Sequence, residues 1–399
     1  MRALALLWPA ACCAAGLLAA TPDEAPAAAL LALQATARRH LDAELAARPR
    51  GGCTRDTLQI RTEWRALPPA ARRRYIDAVY CLQRKPGLID QRLVPGAKSL
   101  FDSFTTLHIN QTHTIHNNFS FLVWHRYFVH VYEQALRDCG YTGNHPYWEW
   151  GYDVYDPANA PILDGSPLSL GSDGAPLAGR NATWAQWPPP PFAPTPDLVV
   201  EFPRGTGGGC VQRGPFADMT VHFGPISQAD QRHLHRMFAF RPHCLQRDLN
   251  PAIGQRYLAF NWSVWAVAES ADIMGFQARI TGDRRQGHGA YPLNRFGAHG
   301  GGHFFAGGMT GAFSDLYASP QDPLFFPHHA QIDRLWAIWQ WLDIAARRHA
   351  LFGSLTYENL PPARNGSLDD AIDLAPLAAP VAVRELMDVV AGPYCYFYE

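Results

Sequence analysis

Hydrophobic residues recur along much of the chain at the spacing of a helix face. Apolar positions repeat near helical spacing over residues 119–136 and again over 330–342, and both stretches predict α-helices. A third helix is expected over 68–83, where a proline supplies a favourable start. Shorter helices are expected near 228–238 and 263–270. The fold class that follows is mainly α.

Residues 153–220 break this pattern. They are rich in Pro, Gly and Ser and include the proline run 188–191 and the glycine run 207–209. Such a stretch predicts a long irregular excursion fastened by disulfides, not a separate domain. The 399 residues could form one large domain or two, and no internal repeat of fixed period is visible.

Composition narrows the function classes. The chain is 47% hydrophobic and has a formal net charge of -1, with no basic block. It can therefore bury a sizeable core, and neither nucleic acid nor an anionic membrane surface is expected as the main partner. Histidine, at 17 residues, is the unusual count. A lone histidine is usually a core or surface side chain, so only spacing and clustering indicate ligands.

The N-terminus resembles a secretory signal. Residues 1–20 contain one positive charge, a short apolar core and small residues near the end, which predicts a cleaved signal peptide and a secreted, extracellular protein. A membrane anchor is the weaker alternative, because the apolar run is barely long enough to span. Residues 21–50 could form an amphipathic helix or be trimmed after secretion. Residues 51–399 are expected to form the functional domain.

Secretion determines how cysteines and sequons are interpreted. Six cysteines remain after the signal, which predicts three disulfides with 15 possible pairings. No CxxC spacing occurs among them, so a thiolate metal site is not expected. Five sequons agree with a secreted glycoprotein. The cysteines are Cys53, Cys81, Cys139, Cys210, Cys244 and Cys395, and the sequon asparagines are Asn110, Asn118, Asn181, Asn261 and Asn365.

His299 and His303 are four residues apart, which on a helix places both on one face. The three residues between them are glycines, which together cost a helix roughly 3 kcal/mol relative to alanine. Metal coordination could offset that cost, and the missing side chains would leave open space beside the ion. The alternative is a glycine-rich loop with two incidental histidines.

Two further segments place histidine in apolar, aromatic sequence. His116 and His125 flank one of them, and a buried imidazole there needs a partner. In the other, Asp333 follows His329 by one helical turn and could orient it by a hydrogen bond. Imidazoles without thiolates or clustered carboxylates suit copper or zinc. Two separated groups of histidines, near 108–125 and 299–329, indicate two metal ions.

These segments carry a family resemblance. The run from His116 through Trp124-His125-Arg126 to Glu133 resembles the first copper signature of the tyrosinase and catechol oxidase (polyphenol oxidase) family of dinuclear type 3 copper proteins. The run from Asp322 to Asp333 is similar to the second signature. The resemblance extends over most of residues 51–399.

The resemblance implies a ligand set and a fold. One copper ion would be held by His108, His116 and His125, and the second by His299, His303 and His329. His328 does not fall on the ligand position of the signature, and His113 and His130 are near neighbours that are not expected to bind. The family fold is a central four-helix bundle that supplies the ligands from facing helices, with long loops.

The activity implied is oxidation of ortho-diphenols to ortho-quinones, with O2 reduced to water. No residue beyond the copper ligands is expected as catalytic. A dioxygen carrier with the same copper pair is a second hypothesis, but only 70 residues follow His329 (399 − 329), too few for a large shielding domain. A mononuclear zinc hydrolase is weaker, because no Glu lies beside the histidine pair.

Two departures from the family pattern affect the expected chemistry. No cysteine lies between Cys81 and Cys139, so a thioether to the second histidine of the first site is excluded. In the family, hydroxylation of monophenols is associated with an Asn after the first histidine of the second site, and here that position is Gly300. We therefore expect weak or absent monophenol hydroxylation, unless a distant acid such as Glu269 folds back. The alternative is a tyrosinase with full monophenol activity.

Overall fold

The computed structural model describes residues 23–48, 52–186, 199–227, 229–282 and 296–399. Helices form most of the regular structure in these ranges, as the hydrophobic pattern predicts. The segment expected to be a signal peptide and the proline run lie outside the described residues. The α-helices are α1 Glu24–Ala47, α2 Pro69–Arg84, α3 Leu100–Ile115, α4 Phe121–Arg137, α5 Leu234–Met237, α6 Pro251–Tyr257, α7 Phe260–Ala268, α8 Ile273–Thr281, α9 Gly297–Gly307, α10 Phe325–Leu342, α11 Ile344–Arg347 and α12 Val383–Leu386.

The strands of the described residues are short and pair two by two. β1 runs parallel to β10 and ties the start of the domain to its end, while β2–β5, β3–β4, β6–β7 and β8–β9 are antiparallel. The strands are β1 Gln59–Arg61, β2 Gly174–Pro176, β3 Thr183–Gln186, β4 Val199–Phe202, β5 Gly208–Val211, β6 Thr220–Val221, β7 His243–Cys244, β8 Ala371–Leu374, β9 Ala378–Ala382 and β10 Tyr396–Tyr398.

The central bundle is built from α3, α4, α9 and α10. Ser99 and Asp102 close a capping box at the start of α3, which satisfies two backbone N–H groups there. Almost every side chain of α10 is buried, so this helix passes through the core. The prediction of a mainly α fold around a helical bundle is confirmed.

Two predicted helix boundaries were wrong. The helix expected over 330–342 begins five residues earlier, at Phe325. Pro327 lies in its first turn, where a missing N–H has no intrahelical partner to lose, so proline does not prevent an early start. The helix expected over 228–238 is reduced to a 3-10 turn, Asp230–Arg232, followed by α5.

Of the two alternatives for residues 21–50, an amphipathic helix or a segment trimmed after secretion, the structure contains a helix, α1. α1 packs along α10 and α7 and buries Leu30, Ala37, Leu41 and Leu45. Gln34 of α1 also accepts a hydrogen bond from the buried Arg334 side chain at 2.6 Å. α1 is therefore an integral part of the folded core. Among the described residues, no helix is long and apolar enough to cross a membrane.

The three expected disulfides are present, and the structure selects one of the possible pairings. Cys53 bonds Cys395, Cys81 bonds Cys139 and Cys210 bonds Cys244. The last of these fastens the irregular region, as expected.

Asn118 of the second sequon is fully buried, and its side-chain amide donates to the carbonyl oxygen of Thr114. A glycan on Asn118 is incompatible with this fold.

Candidate metal centre

Three buried histidines meet between α3 and α4. His108 lies on α3, His116 directly follows it, and His125 lies on the first turns of α4. One ring nitrogen from each lies within 4.8 Å of the other two. The tertiary structure therefore brings together the three histidines that the family resemblance assigns to the first copper ion.

The protonation of these three rings is fixed by main-chain carbonyls. Nδ1 of His108 lies 2.6 Å from the carbonyl oxygen of Tyr317, and Nδ1 of His116 and His125 lie 2.8 Å from the carbonyl oxygens of Thr112 and Phe121. A carbonyl only accepts, so each Nδ1 carries the hydrogen and Nε2 keeps its lone pair.

The free lone pairs face the interior of the group. Nε2 of His108 and of His125 is buried and has no hydrogen-bond partner among the described residues. A buried polar atom without a partner is costly, and a metal ion would satisfy both. The donor set therefore fits a metal.

A second group lies on α9 and α10. His299 and His303 are one turn apart on α9, and their Nε2 atoms are 3.1 Å apart. Nδ1 of His303 donates to the carbonyl oxygen of Phe313 at 2.7 Å, so its Nε2 also keeps a lone pair. His329 of α10 completes this side, and neither of its ring nitrogens has a hydrogen-bond partner in the described part of the chain.

His328 belongs to the same group, although the signature passes over it. The ligand atoms of His299, His303, His328 and His329 all lie within 4.8 Å of one another. The ring of His328 also packs against the backbone of α9, since a Cβ at Gly302 would overlap its Cε1. The sequence gives little indication of whether His328 points into the site, because consecutive residues of a helix point in different directions.

The two groups face each other across one chamber. The rings of His125 and His329 are stacked with centroids 4.3 Å apart, and those of His116 and His299 are stacked at 5.7 Å. Each stacked pair joins one histidine of the first group to one histidine of the second, so the two groups form a single site.

Burial keeps the imidazoles neutral. Desolvation lowers the pKa of His116 to about 4 and that of His303 to about 3. It also lowers the pKa of His108, His125 and His329 well below the ordinary value. Neutral rings with free lone pairs are the form that binds a metal, so the site is prepared for one at neutral pH.

The two neighbouring histidines that are not expected to bind a metal lie outside both groups. His113 contacts the hydroxyl of Tyr317 through Nε2 at 3.0 Å. His130 packs its ring edge to face against Tyr394, with centroids 5.0 Å apart. Neither belongs to the two groups of clustered ring nitrogens.

The hypothesis that Asp333 orients His329 was wrong. The Asp333 carboxylate accepts hydrogen bonds from Arg126 and from the hydroxyls of Tyr396 and Tyr398. A turn of helix separates Asp333 from His329 along α10, but the carboxylate points towards α4 and the C-terminal strand, where positive charge stabilises it. Asp333 therefore joins the helices that carry the ligands and does not touch a ligand itself.

The glycines of α9 have a packing role that the sequence did not reveal. A Cβ at Gly301 would lie 2.6 Å from Cβ of Tyr257 on α6, and one at Gly302 would meet His328 on α10. Close helix contact therefore replaces the open space expected at these two positions. Gly300, in contrast, lines the cavity beside His299.

A cavity of about 670 Å³ opens onto His299 and His303 of the second group and onto His116 of the first. Asp315 is the carboxylate among its described lining residues, and its oxygens accept hydrogen bonds from the N–H groups of Ile226, Tyr317 and Ala318. Burial raises the pKa of Asp315, although the three hydrogen bonds act in the opposite direction. Glu269 is exposed at the end of α7 and is not among the lining residues.

Comparison with known proteins agrees with this architecture. A family model described as the common central domain of tyrosinase matches residues 98–342. The tyrosinase-like protein orsC of Emericella nidulans is 41% identical over 323 residues, which cover 78% of this chain and 82% of orsC. Tyrosinase P of Aspergillus terreus is 38% identical over 349 residues, covering 86% of this chain and 92% of that protein.

A solved structure shares the whole fold. A mutant of a polyphenol oxidase from Thermothelomyces thermophila superposes with a TM-score of 0.82 at 35% identity, covering 93% of this chain and 98% of that one. The chain belongs to the tyrosinase and polyphenol oxidase family. It is an oxidoreductase, and its buried histidine groups fit the metal site of that family.

Proposed function

We propose that this protein oxidises ortho-diphenols to ortho-quinones with O2, which is reduced to water, at a pair of copper ions. The observation that carries the proposal is the pair of facing histidine groups, with buried Nε2 lone pairs that lack partners among the described residues. Imidazole-only donor sets suit copper, and two diphenols supply the four electrons that convert one O2 to two waters.

The residues proposed to hold copper are the six that the family resemblance implies. His108, His116 and His125 would bind one ion, and His299, His303 and His329 the other. When bound, a copper pair supplies reversible two-electron chemistry with dioxygen. The main-chain carbonyls of Tyr317, Thr112, Phe121 and Phe313 set the tautomers in advance, so little reorganisation is required.

The chain's other contribution is to receive the phenol ring and exclude water. Phe296 and Phe304 line the cavity next to His299 and His303, and their rings are 5.2 Å apart. An aromatic wall of this kind favours a flat ring and displaces water from its faces. The two diphenol oxygens would then point towards the histidine groups, where the diphenol would lose two electrons and become the quinone.

We further propose that monophenols are poor substrates. Gly300 has no side chain with which to position a water or a phenolic proton, and it lies on the cavity wall where such a group would be needed. The oxygens of Asp315 already accept three backbone hydrogen bonds, which occupy most of the acceptor positions that a phenolic proton would need, although burial raises its pKa.

One experiment tests both statements. Copper is counted in the purified protein by mass spectrometry, and oxygen uptake is measured with 4-methylcatechol and with its matched monophenol, 4-methylphenol. We expect two copper ions per chain and a rate on the monophenol at least a hundredfold lower. One copper ion per chain, or zinc alone, would contradict the paired site. Comparable rates on both substrates would contradict the diphenol preference alone.

We also propose that the protein is secreted. Three disulfides support this, because they persist in oxidising compartments. N-terminal sequencing of protein recovered from the culture medium should find a chain that begins after residue 20. Recovery only from cells, with residue 1 intact, would contradict the proposal.

A further inference from the structure

The cavity is much larger than one phenol ring requires. Its volume is about 670 Å³. A cavity of about 150 Å³ is enough to hold benzene, whereas sites for drug-sized ligands occupy about 300–1,000 Å³. A single-ring diphenol would therefore leave most of this space to water.

The wall that leads away from the histidines is aromatic. Phe304 follows His303 on α9, and its ring contacts Phe202 of β4 at a centroid distance of 4.8 Å. Phe202 in turn contacts Phe296 at 5.2 Å. These three rings form a continuous apolar surface that begins beside the metal-binding nitrogens.

Two exposed apolar side chains line the same cavity. Leu177 and Met309 both line the cavity and are 39% and 40% exposed. Ile226 and Leu316 also contribute apolar surface to the lining. Large apolar side chains exposed at the mouth of a cavity gain free energy when a ligand covers them.

We infer that the cavity selects an ortho-diphenol that carries a bulky apolar substituent, of at least one further ring. This inference rests on the proposed function. The diphenol ring lies at the histidines, and the substituent extends along Phe304 and Phe202 towards Leu177. Its binding displaces water from apolar surface that a single-ring substrate does not reach.

The test compares two diphenols that differ in the size of the substituent at one ring position. Steady-state oxygen uptake is measured with 4-methylcatechol and 4-phenylcatechol, and kcat/KM for the second should be at least tenfold higher. Leu177→Trp narrows the outer cavity, so the ratio of the two kcat/KM values should fall about tenfold. Leu93→Trp is the matched control, because Leu93 is 75% exposed and is not a lining residue. It should leave the ratio unchanged.

The possible failures are distinguishable. If 4-methylcatechol is oxidised at least as well as 4-phenylcatechol, or if Leu177→Trp leaves the ratio unchanged, this inference is wrong and the proposed function stands. If the copper-loaded protein oxidises neither substrate, the proposed function is wrong. Anaerobic binding then still decides the inference: 4-phenylcatechol should bind at least tenfold more tightly than 4-methylcatechol, and equal affinities overturn it.

Discussion

Arg126 and Asp333 form a buried ion pair that joins the two helices that carry His125 and His329. Nε of Arg126 donates to Oδ1 of Asp333, and both side chains are almost fully buried. Arg126 follows His125 by one residue on α4, and Asp333 follows His329 by four residues on α10. The pair therefore fixes the spacing of α4 and α10 and, through it, the distance between the two histidine groups.

Asp333→Asn should destabilise the protein strongly. The substitution leaves Arg126 buried without the carboxylate that balances it, which typically costs about 3–5 kcal/mol, while Arg61 keeps Glu133 as its partner. Denaturant unfolding measures the loss. Asp90→Asn is the matched control, because it breaks the exposed pair with Arg92 and should leave the midpoint unchanged. Equal effects of the two variants would show that the buried pair does not join the helices.

His329→Asn should remove one of the two copper ions, whereas His328→Asn should retain both. Both histidines have ring nitrogens without hydrogen-bond partners among the described residues, but His329 stacks on His125 of the facing group, while the ring of His328 packs against Gly302 and Trp150. Copper per chain, counted after dialysis, separates the two. Loss of copper from His328→Asn alone would mean that the neighbouring histidine is the ligand.

Gly302→Ala should lower stability by about 1–3 kcal/mol, because the new Cβ overlaps the buried ring of His328. Gly275→Ala in α8 is the control. Its Cβ meets only Oδ1 of Asp272 at 3.4 Å, so alanine should be neutral or stabilising by up to about 1 kcal/mol. Thermal unfolding of both variants tests the prediction, and equal midpoints would exclude close packing as the reason for the glycine.

Glu133 should contribute stability that is lost in acid. Burial by itself would raise the pKa of Glu133. Its interactions with Arg61, His145 and Arg137 outweigh that effect and lower the pKa to about 2. Because the folded pKa lies below the unfolded value of about 4.5, the contribution is present above pH 4.5 and is lost as the pH falls towards 2. Glu133→Gln should therefore cost on the order of 3 kcal/mol at pH 7. A difference from the wild type that stays constant down to about pH 3 would contradict this.

Leu41→Ala should cost about 2–5 kcal/mol if α1 is part of the core, since Leu41 is fully buried. Leu31 lies on the same helix and is 48% exposed, so Leu31→Ala should have little effect. Urea unfolding of the two variants measures the difference. Equal, small effects would indicate that α1 is dispensable and that residues 21–50 can be trimmed.

The sequence by itself determined the fold class and the candidate ligands. Helical spacing is a local property, so residues 119–136 could be assigned with only a short boundary error. The motifs that carry the family resemblance are also local, and the resemblance selected six of the seven histidines that the structure clusters. The seventh, His328, is a neighbour of His329 whose ring direction depends on packing.

Only the tertiary structure decided how distant parts of the chain meet. His108 owes its tautomer to Tyr317, 209 residues away, and Cys53 bonds Cys395, 342 residues away. The hydrogen-bond partners of Asp333 and the close contacts of Gly302 likewise lie on other helices or on β10. A linear pattern specifies which side chains a helix presents, but the packing of helices against one another determines which atoms those side chains meet, and how large a cavity remains between them.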